Sequence, residues 1–264
     1  MNLQLEKKTA IVTGSTAGIG LAIASLLAAE GADVIINGRT QERVDEAIAQ
    51  IKKDGAKGAV RGVAADLSRS EGVKKFLREI PVADILVNNL GIFEPKPFDQ
   101  ISDEDWLRFF ETNVMSGVRM SRAYLPHMRA QDWGRIIFVS SESALQIPAE
   151  MIHYGMTKTA QISIARGLAE TCAGTGITVN AVLPGPTASE GVKEFVASLA
   201  KENQQSKDEF EKEFFKSARP TSLLQRFAKP EEVAPLVAYL CSPLASATTG
   251  AALRVDGGVV KSPF

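Results

Sequence analysis

The run Thr9-Ala10-Ile11-Val12-Thr13-Gly14-Ser15-Thr16-Ala17-Gly18-Ile19-Gly20, followed by the helix-like stretch Leu21 to Ala29, decides the fold. Thr9–Val12 is a short apolar run without alternation, as expected for a strand covered on both faces. Glycines at 14, 18 and 20 let the backbone turn tightly and come close to a ligand's pyrophosphate. A helix opening just beyond them offers free N–H groups and a partial positive charge. Strand, glycine-rich turn and helix in this order predict a phosphate-binding βα unit; a tight βα turn without ligand is the plainer reading.

Working outward, the same alternation repeats. Further β-rich runs fall at Val34–Asn37, Val60–Ala64, Ile85–Asn88, Arg135–Ser140, Thr178–Leu183 and Ala252–Val255. Amphipathic segments lie between them. In Gln41–Lys53, Val44, Ile48 and Ile51 share one face while Glu42, Arg43, Glu46 and Lys52 share the other. Strand–helix alternation predicts an α/β fold of the Rossmann type, a doubly wound seven-stranded parallel sheet with helices on both faces. A length of 264 residues suits one large α/β domain or two small ones. With no repeat or linker in sight, residues 1–264 read as a single dinucleotide-binding domain. One stretch breaks the pattern: residues 190–224 are dense in charge, and read as a solvated helix pair, as a lid over a substrate, or as both.

Composition narrows the partners. Lys and Arg total 30 against 31 Asp and Glu, a formal net charge of −1, so nothing predicts attraction to nucleic acid or membrane. No run approaches the roughly 20 apolar residues of a membrane span. Met1 to Lys8 is polar and leads straight into a strand, which predicts no signal peptide and a cytoplasmic location. Cys172 and Cys241 read as two buried thiols of a reducing compartment, and two Cys and two His without ligand spacing predict no metal site.

Two features bear on chemistry directly. The second strand ends Asn37-Gly38-Arg39, where dinucleotide folds that prefer NAD carry a carboxylate for the adenosine ribose. Glycine at 38 followed by Arg39 favours a 2′-phosphate, and so NADP(H), with NAD(H) possible; alternatively Arg39 is a solvated helix-entry residue. The loop has no Lys or Arg at Ser15 or Thr16, which loosens that preference. Tyr154-Gly155-Met156-Thr157-Lys158 places a phenol and an ammonium one helical turn apart. The cation would lower the phenol's pKa toward working pH, as a general acid/base needs. A surface Tyr with a solvated Lys is the alternative for the pair alone.

The spacing Thr-Gly-x-x-x-Gly-Ile-Gly, together with Tyr-x-x-x-Lys, resembles the single-domain branch of the short-chain dehydrogenase/reductase family, and the resemblance runs over residues 7 to 260. It implies a catalytic set of Asn113, Ser141, Tyr154 and Lys158, with Ser140 the neighbour that could replace Ser141. Asn113 would hold a water beside Lys158. The cofactor would lie against Gly14, Ser15, Thr16, Gly18, Ile19 and Gly20, then Arg39, Asp66, Leu67, Asn88 and Gly91, and at its nicotinamide end Tyr154, Lys158, Pro184, Gly185 and Thr187. Asp66 would contact adenine, although a helix cap explains it equally. Leu90 departs from the family's Asn-Asn-Ala-Gly. Ile92, Phe93, Glu142, Gln146, Ile147, Met151 and His153 would line the substrate site. The implied reaction is hydride transfer between a nicotinamide and a carbonyl or secondary alcohol. Competing readings are an NAD-dependent alcohol dehydrogenase of the same family and a non-catalytic NADP-binding regulator. The small residues of 155–169 and the family together imply a homotetramer, or at least a dimer.

Overall fold

The computed structural model describes residues 2–192 and 206–263. Seven parallel strands form one sheet: β1 (Thr9–Val12), β2 (Asp33–Gly38), β3 (Val60–Ala64), β4 (Ile85–Asn88), β5 (Gly134–Val139), β6 (Ile177–Pro184) and β7 (Ala252–Val255). Their spatial order is β3-β2-β1-β4-β5-β6-β7. The chain therefore winds outward from β1 to β3, returns, and winds outward the other way from β4. β1 and β4 lie side by side, with Ile11 opposite Leu86, so the reversal of order falls between them. A crevice opens there outside the carboxyl ends of the strands, which is where open α/β sheets bind ligands.

The apolar runs lack alternation because helices cover both faces. Ala10 and Val12 point into one core layer with Ile23 and Leu27 of α1 (Gly18–Ala29), and with Val237 and Leu240 of the helix at 230–241. Ile11 points into the other, with Phe76, Met120 and Tyr124. The two cysteines are both buried, one in each layer.

The expected strands all form, with β2, β5 and β6 shifted or extended by a residue or so at their ends. The helix expected over Gln41–Lys53 forms as α2 (Gln41–Lys53), its first turn capped by the Thr40 hydroxyl. One boundary differs. The helix expected from Leu21 begins at Gly18, because Ala17 is extended at φ −159° and the three residues 18–20 make the first turn. The glycines are thus part of the helix start as well as of the loop.

The remaining helices are α3 (Ser70–Glu79), α4 (Asp103–Phe109), α5 (Ser116–Ala130), α6 (Ile152–Glu170), α7 (Lys207–Ser217) and α8 (Pro230–Cys241). α4 continues into α5 through a π-helical stretch, Phe110–Met115. Of the segment expected as an insertion at 190–224, residues 193–205 lie outside the described residues. Its described part includes α7, which opens with a reciprocal cap between Ser206 and Glu209. Phe214 and Phe215 of α7 pack with Phe227 at ring distances of 5.1 Å, which fixes that helix above the carboxyl end of the sheet. Among the described residues, no helix is long and apolar enough to cross a membrane.

Candidate active site

A cavity of about 930 Å³ lies at the crevice. Its floor at one end is the start of α1, with Gly18, Ile19 and Gly20. No side chain caps that helix, so its first N–H groups are available to a ligand. The glycine loop is held from behind. Asn89 Nδ2 donates to the carbonyls of Thr13 and Gly14, both at 2.9 Å, and the Thr13 hydroxyl accepts from the amides of Asn89 and Leu90. Asn89 is therefore the loop's clamp, a role not assigned from the sequence. Gly14 adopts φ +59°, and Leu90, the bulkier residue in the family motif, packs directly against it.

Other loop residues face inward. The Ser15 amide donates to Asn37 O and its hydroxyl donates to Val12 O at 2.6 Å while accepting from the Asn37 amide. Ser15 is fully buried and joins β1 to β2, so its polar groups are turned away from the cavity, contrary to expectation. Thr16 leans on Gly38: a Cβ at 38 would lie 2.4 Å from Thr16 Cγ2 and 3.2 Å from Val44 Cγ2. No carboxylate could stand at 38 without displacing them. Arg39 beside it is exposed and has no hydrogen-bond or ion-pair partner among the described residues.

Three more expected cofactor contacts have their side chains engaged elsewhere. Asp66 accepts from the amide and hydroxyl of Ser68, closing its own turn on the rim next to Gly38, and Leu67 is buried in the core. Asn88 is buried with its amide on Ser121 Oγ, on the far side of the strand from the cavity. Gly91, in contrast, lines the cavity, and a Cβ there would sit 3.4 Å from Lys158 Nζ. At the other end the cavity is walled by Pro184, Gly185 and Thr187, where β6 ends. The Thr187 hydroxyl bonds to Gly185 O at 2.9 Å.

Ser141, Tyr154 and Lys158 meet on the same cavity wall, brought together by the end of β5 and the first two turns of α6. Of the two candidate serines, Ser140 is tied up, its hydroxyl donating to Lys158 O at 2.8 Å. The Ser141 hydroxyl faces the cavity and donates to Glu142 Oε2. Lys158 is buried, with Nζ 5.6 Å from the centre of the Tyr154 ring and donating to Val139 O at 2.9 Å. Burial pulls its pKa down to about 8. The phenol of Tyr154 is pushed up, by burial first and then by the Glu142 charge, with the Ser141 hydroxyl and Arg219 pulling weakly the other way. The lowering expected from Lys158 is not seen: burial and the Glu142 charge set the direction, while the ammonium is turned onto Val139 O.

Asn113 sits in the π-helical stretch and is buried. Its side chain is a clamp: Oδ1 accepts from the Ile92 amide at 2.8 Å, and Nδ2 donates to Ile92 O and Thr157 Oγ1. A direct link from Asn113 toward Lys158 runs through Gln161, which the sequence reading missed. Gln161 Oε1 accepts from Lys158 Nζ at 3.3 Å and its Nε2 donates to Asn113 O at 2.6 Å. A buried polar residue three positions after Lys158 on one helix was the available signal.

Of the expected substrate-site residues, Ile92, Phe93, Glu142 and Met151 line the cavity. Gln146 and Ile147 lie on the exposed loop before α6. His153 is fully buried on the opposite side of α6, its ring 4.0 Å from Phe109 and 6.0 Å from Trp106. Neither ring nitrogen has a hydrogen-bond partner among the described residues, and burial holds its pKa below the ordinary 6.5. The unfolded chain therefore takes up this proton first. The stability it protects is complete above pH 6.5 and drains as pH falls toward the folded value, by at most about 1.4 kcal/mol per pH unit. Unfolding midpoints in urea between pH 7.5 and 5.0 are expected to fall more steeply for the natural chain than for His153→Leu; parallel slopes would refute this.

The crevice, the glycine loop and the Ser–Tyr–Lys wall define a dinucleotide-dependent oxidoreductase of the short-chain dehydrogenase/reductase family, and the chain belongs to it: the short chain dehydrogenase pattern matches residues 8–200. Members of this class act on CH–OH and C=O groups with a nicotinamide cofactor. The chain is 52% identical to the uncharacterized oxidoreductase YvaG of Bacillus subtilis (strain 168) over 264 residues, covering 100% of both. It is 36% identical to the 3-oxoacyl-[acyl-carrier-protein] reductase FabG of Aquifex aeolicus, covering 98% of this chain and 100% of that one. Among solved structures it resembles L-sorbose reductase from Gluconobacter frateurii complexed with NADPH and L-sorbose, with TM-score 0.93, 33% identity, and 99% and 100% of the two chains covered.

Proposed function

We propose that this protein reduces a carbonyl group to a secondary alcohol with NADPH, using Tyr154 as the proton donor. One observation carries the reading: Ser141, Tyr154 and Lys158 stand on the wall of the same cavity whose floor is the uncapped start of α1. A dinucleotide with its pyrophosphate on that helix end would reach the tyrosine. The cavity fits such a group on the chain's own terms: about 930 Å³ of space runs from the α1 start, which no side chain caps, to Tyr154 and Lys158.

When bound, the cofactor supplies the hydride. The chain's residues do the rest. Ser141 Oγ, turning its one proton from Glu142 Oε2, would donate a hydrogen bond to the carbonyl oxygen and orient it. Tyr154 Oη gives that oxygen its proton. Burial and the Glu142 charge hold the phenol protonated, so the proton is present at Oη, and its release has to be favoured by the Lys158 ammonium. Lys158, cationic below about pH 8, holds the nicotinamide ribose and stabilises the phenolate left behind. Gln161 and Asn113 O fix the ammonium for that task. The described 206–224 segment, with α7 over the cavity, would serve as the substrate-side cover of a single domain.

NADP(H) is favoured because Arg39 has no partner among the described residues and stands beside Gly38, where a Cβ would press on Thr16 and no carboxylate is present. A neutral-to-charged hydrogen-bond gain of about 1.5–3 kcal/mol corresponds to roughly 10- to 100-fold in affinity. Titration followed by protein fluorescence is expected to give NADPH a dissociation constant lower than that of NADH by that margin, and Arg39→Ser is expected to erase most of it. Equal or reversed affinities would remove the NADPH assignment.

A further inference from the structure

The cavity beside Ser141 holds a charged pair that hydride transfer itself does not require. Glu142 follows Ser141 at the end of β5 and is 4% exposed. Its Oε2 accepts from Ser141 Oγ at 2.5 Å, and its Oε1 from Arg219 Nε at 3.1 Å. Arg219, just beyond α7, is 8% exposed, and its Nη1 donates to Glu150 Oε1 at 3.2 Å and to Ala218 O at 2.8 Å. Both residues line the cavity together with Tyr154.

Taking an ion pair out of water is costly, and an apolar pair of similar volume would fill the same space at no less stability. The pair also has capacity left over. Each carboxylate oxygen has a second lone-pair position, and Arg219 Nη2 has no partner among the described residues. An acceptor and a donor side by side match a hydroxyl group, which donates and accepts at once. Both line the cavity beside Ser141, so a group they bond would lie next to the oxygen that Ser141 would hold.

We infer that Glu142 and Arg219 together read a hydroxyl on the carbon next to the reacting carbonyl, so that the substrate is a neutral α-hydroxy carbonyl compound and the product a vicinal diol. This rests on the hydride-transfer reading above. Two alternatives fit less well. An anionic substrate would meet a cavity whose carboxylates Glu142, Glu150 and Glu213 outnumber its cations Lys158 and Arg219, Glu190 being paired with Arg43. A plain ketone would cover the Glu142 and Arg219 polar atoms without bonding them, and such unpaired groups reject the analogue strongly. Beyond the pair the wall also carries the apolar side chains of Met151, Phe214 and Phe227.

The test uses the full chain, NADPH consumption, and matched ketones: 2-butanone against 3-hydroxy-2-butanone, cyclohexanone against 2-hydroxycyclohexanone, and acetoacetate as the anion. The hydroxylated member of each pair is expected to have the higher kcat/KM, by about a hundredfold, with acetoacetate poorest. In Glu142→Gln that ratio is expected to collapse to about tenfold or less. Arg219→Met should lower it as well, so that a folding failure in one variant leaves the other to decide. A ratio unchanged in the variants, a natural chain that prefers the plain ketone or acetoacetate, or one that turns over neither hydroxy ketone would overturn the inference. Tyr154→Phe, run alongside, separates the two levels: turnover surviving in it would overturn the hydride-transfer reading instead.

Discussion

Tyr154→Phe is expected to lose turnover by about a thousandfold or more while binding the dinucleotide as the natural chain does. The ring stays, so the packing around Lys158, whose Nζ lies 5.6 Å from the ring centre, stays with it. What goes is the single Oη proton. General acid catalysis contributes roughly 10²–10⁴-fold, and without it the alkoxide formed by hydride transfer has only the Ser141 hydroxyl for support. The measurement is a pair: kcat under saturating NADPH, and NADPH affinity by fluorescence. A variant within tenfold of the natural rate would remove Tyr154 from its role. A variant that lost binding as well would say instead that the wall had rearranged.

Gly20→Ala is expected to damage the other end of the cavity, by packing alone. The added methyl would lie 2.5 Å from both Asn89 Nδ2 and Gly14 O and 2.9 Å from Ser15 Cα. Those are the atoms of the clamp that holds the glycine loop, and two of the three belong to backbone, which cannot rotate aside. Overpacking against backbone sets a stability loss of about 3 kcal/mol. For a chain of this size that lowers Tm by roughly 6–12 °C. Dinucleotide affinity should fall by more than about tenfold, because the N–H groups at the start of α1 would no longer align with a phosphate. A Tm within 2 °C of the natural chain's would show that the clamp yields, contrary to this account.

The sheet was legible because its strands are buried on both faces and so read as unbroken apolar runs; Ile11 and Val12 enter different core layers, yet both must be apolar. Helix α2 was legible because one face is wet. The start of α1 was not, since glycines carry no hydrophobic period and a helix start there is set by the backbone of Ala17. Tyr154 and Lys158 could be found from spacing within one helix. His153 shows the limit of adjacency: one residue from Tyr154 in sequence, it leaves α6 in another direction and enters the core. Glu142 and Arg219 stand 77 residues apart, and only the tertiary fold joins them. Ser15 was misplaced because a serine in a phosphate loop reads as a ligand contact until its hydroxyl is seen bonded to Val12 O.

The contact between Thr16 and Gly38 bears on the chain's possible histories. An aspartate at 38, the simplest route toward the other nicotinamide cofactor, would drive its Cβ into Thr16 Cγ2. Thr16 Cγ2 is the end of a rotatable side chain, so the step would be met by a turn of Thr16 about its Cα–Cβ bond. Residues 16 and 38 are thereby coupled: what an acid at 38 does to cofactor choice depends on which side chain stands at 16.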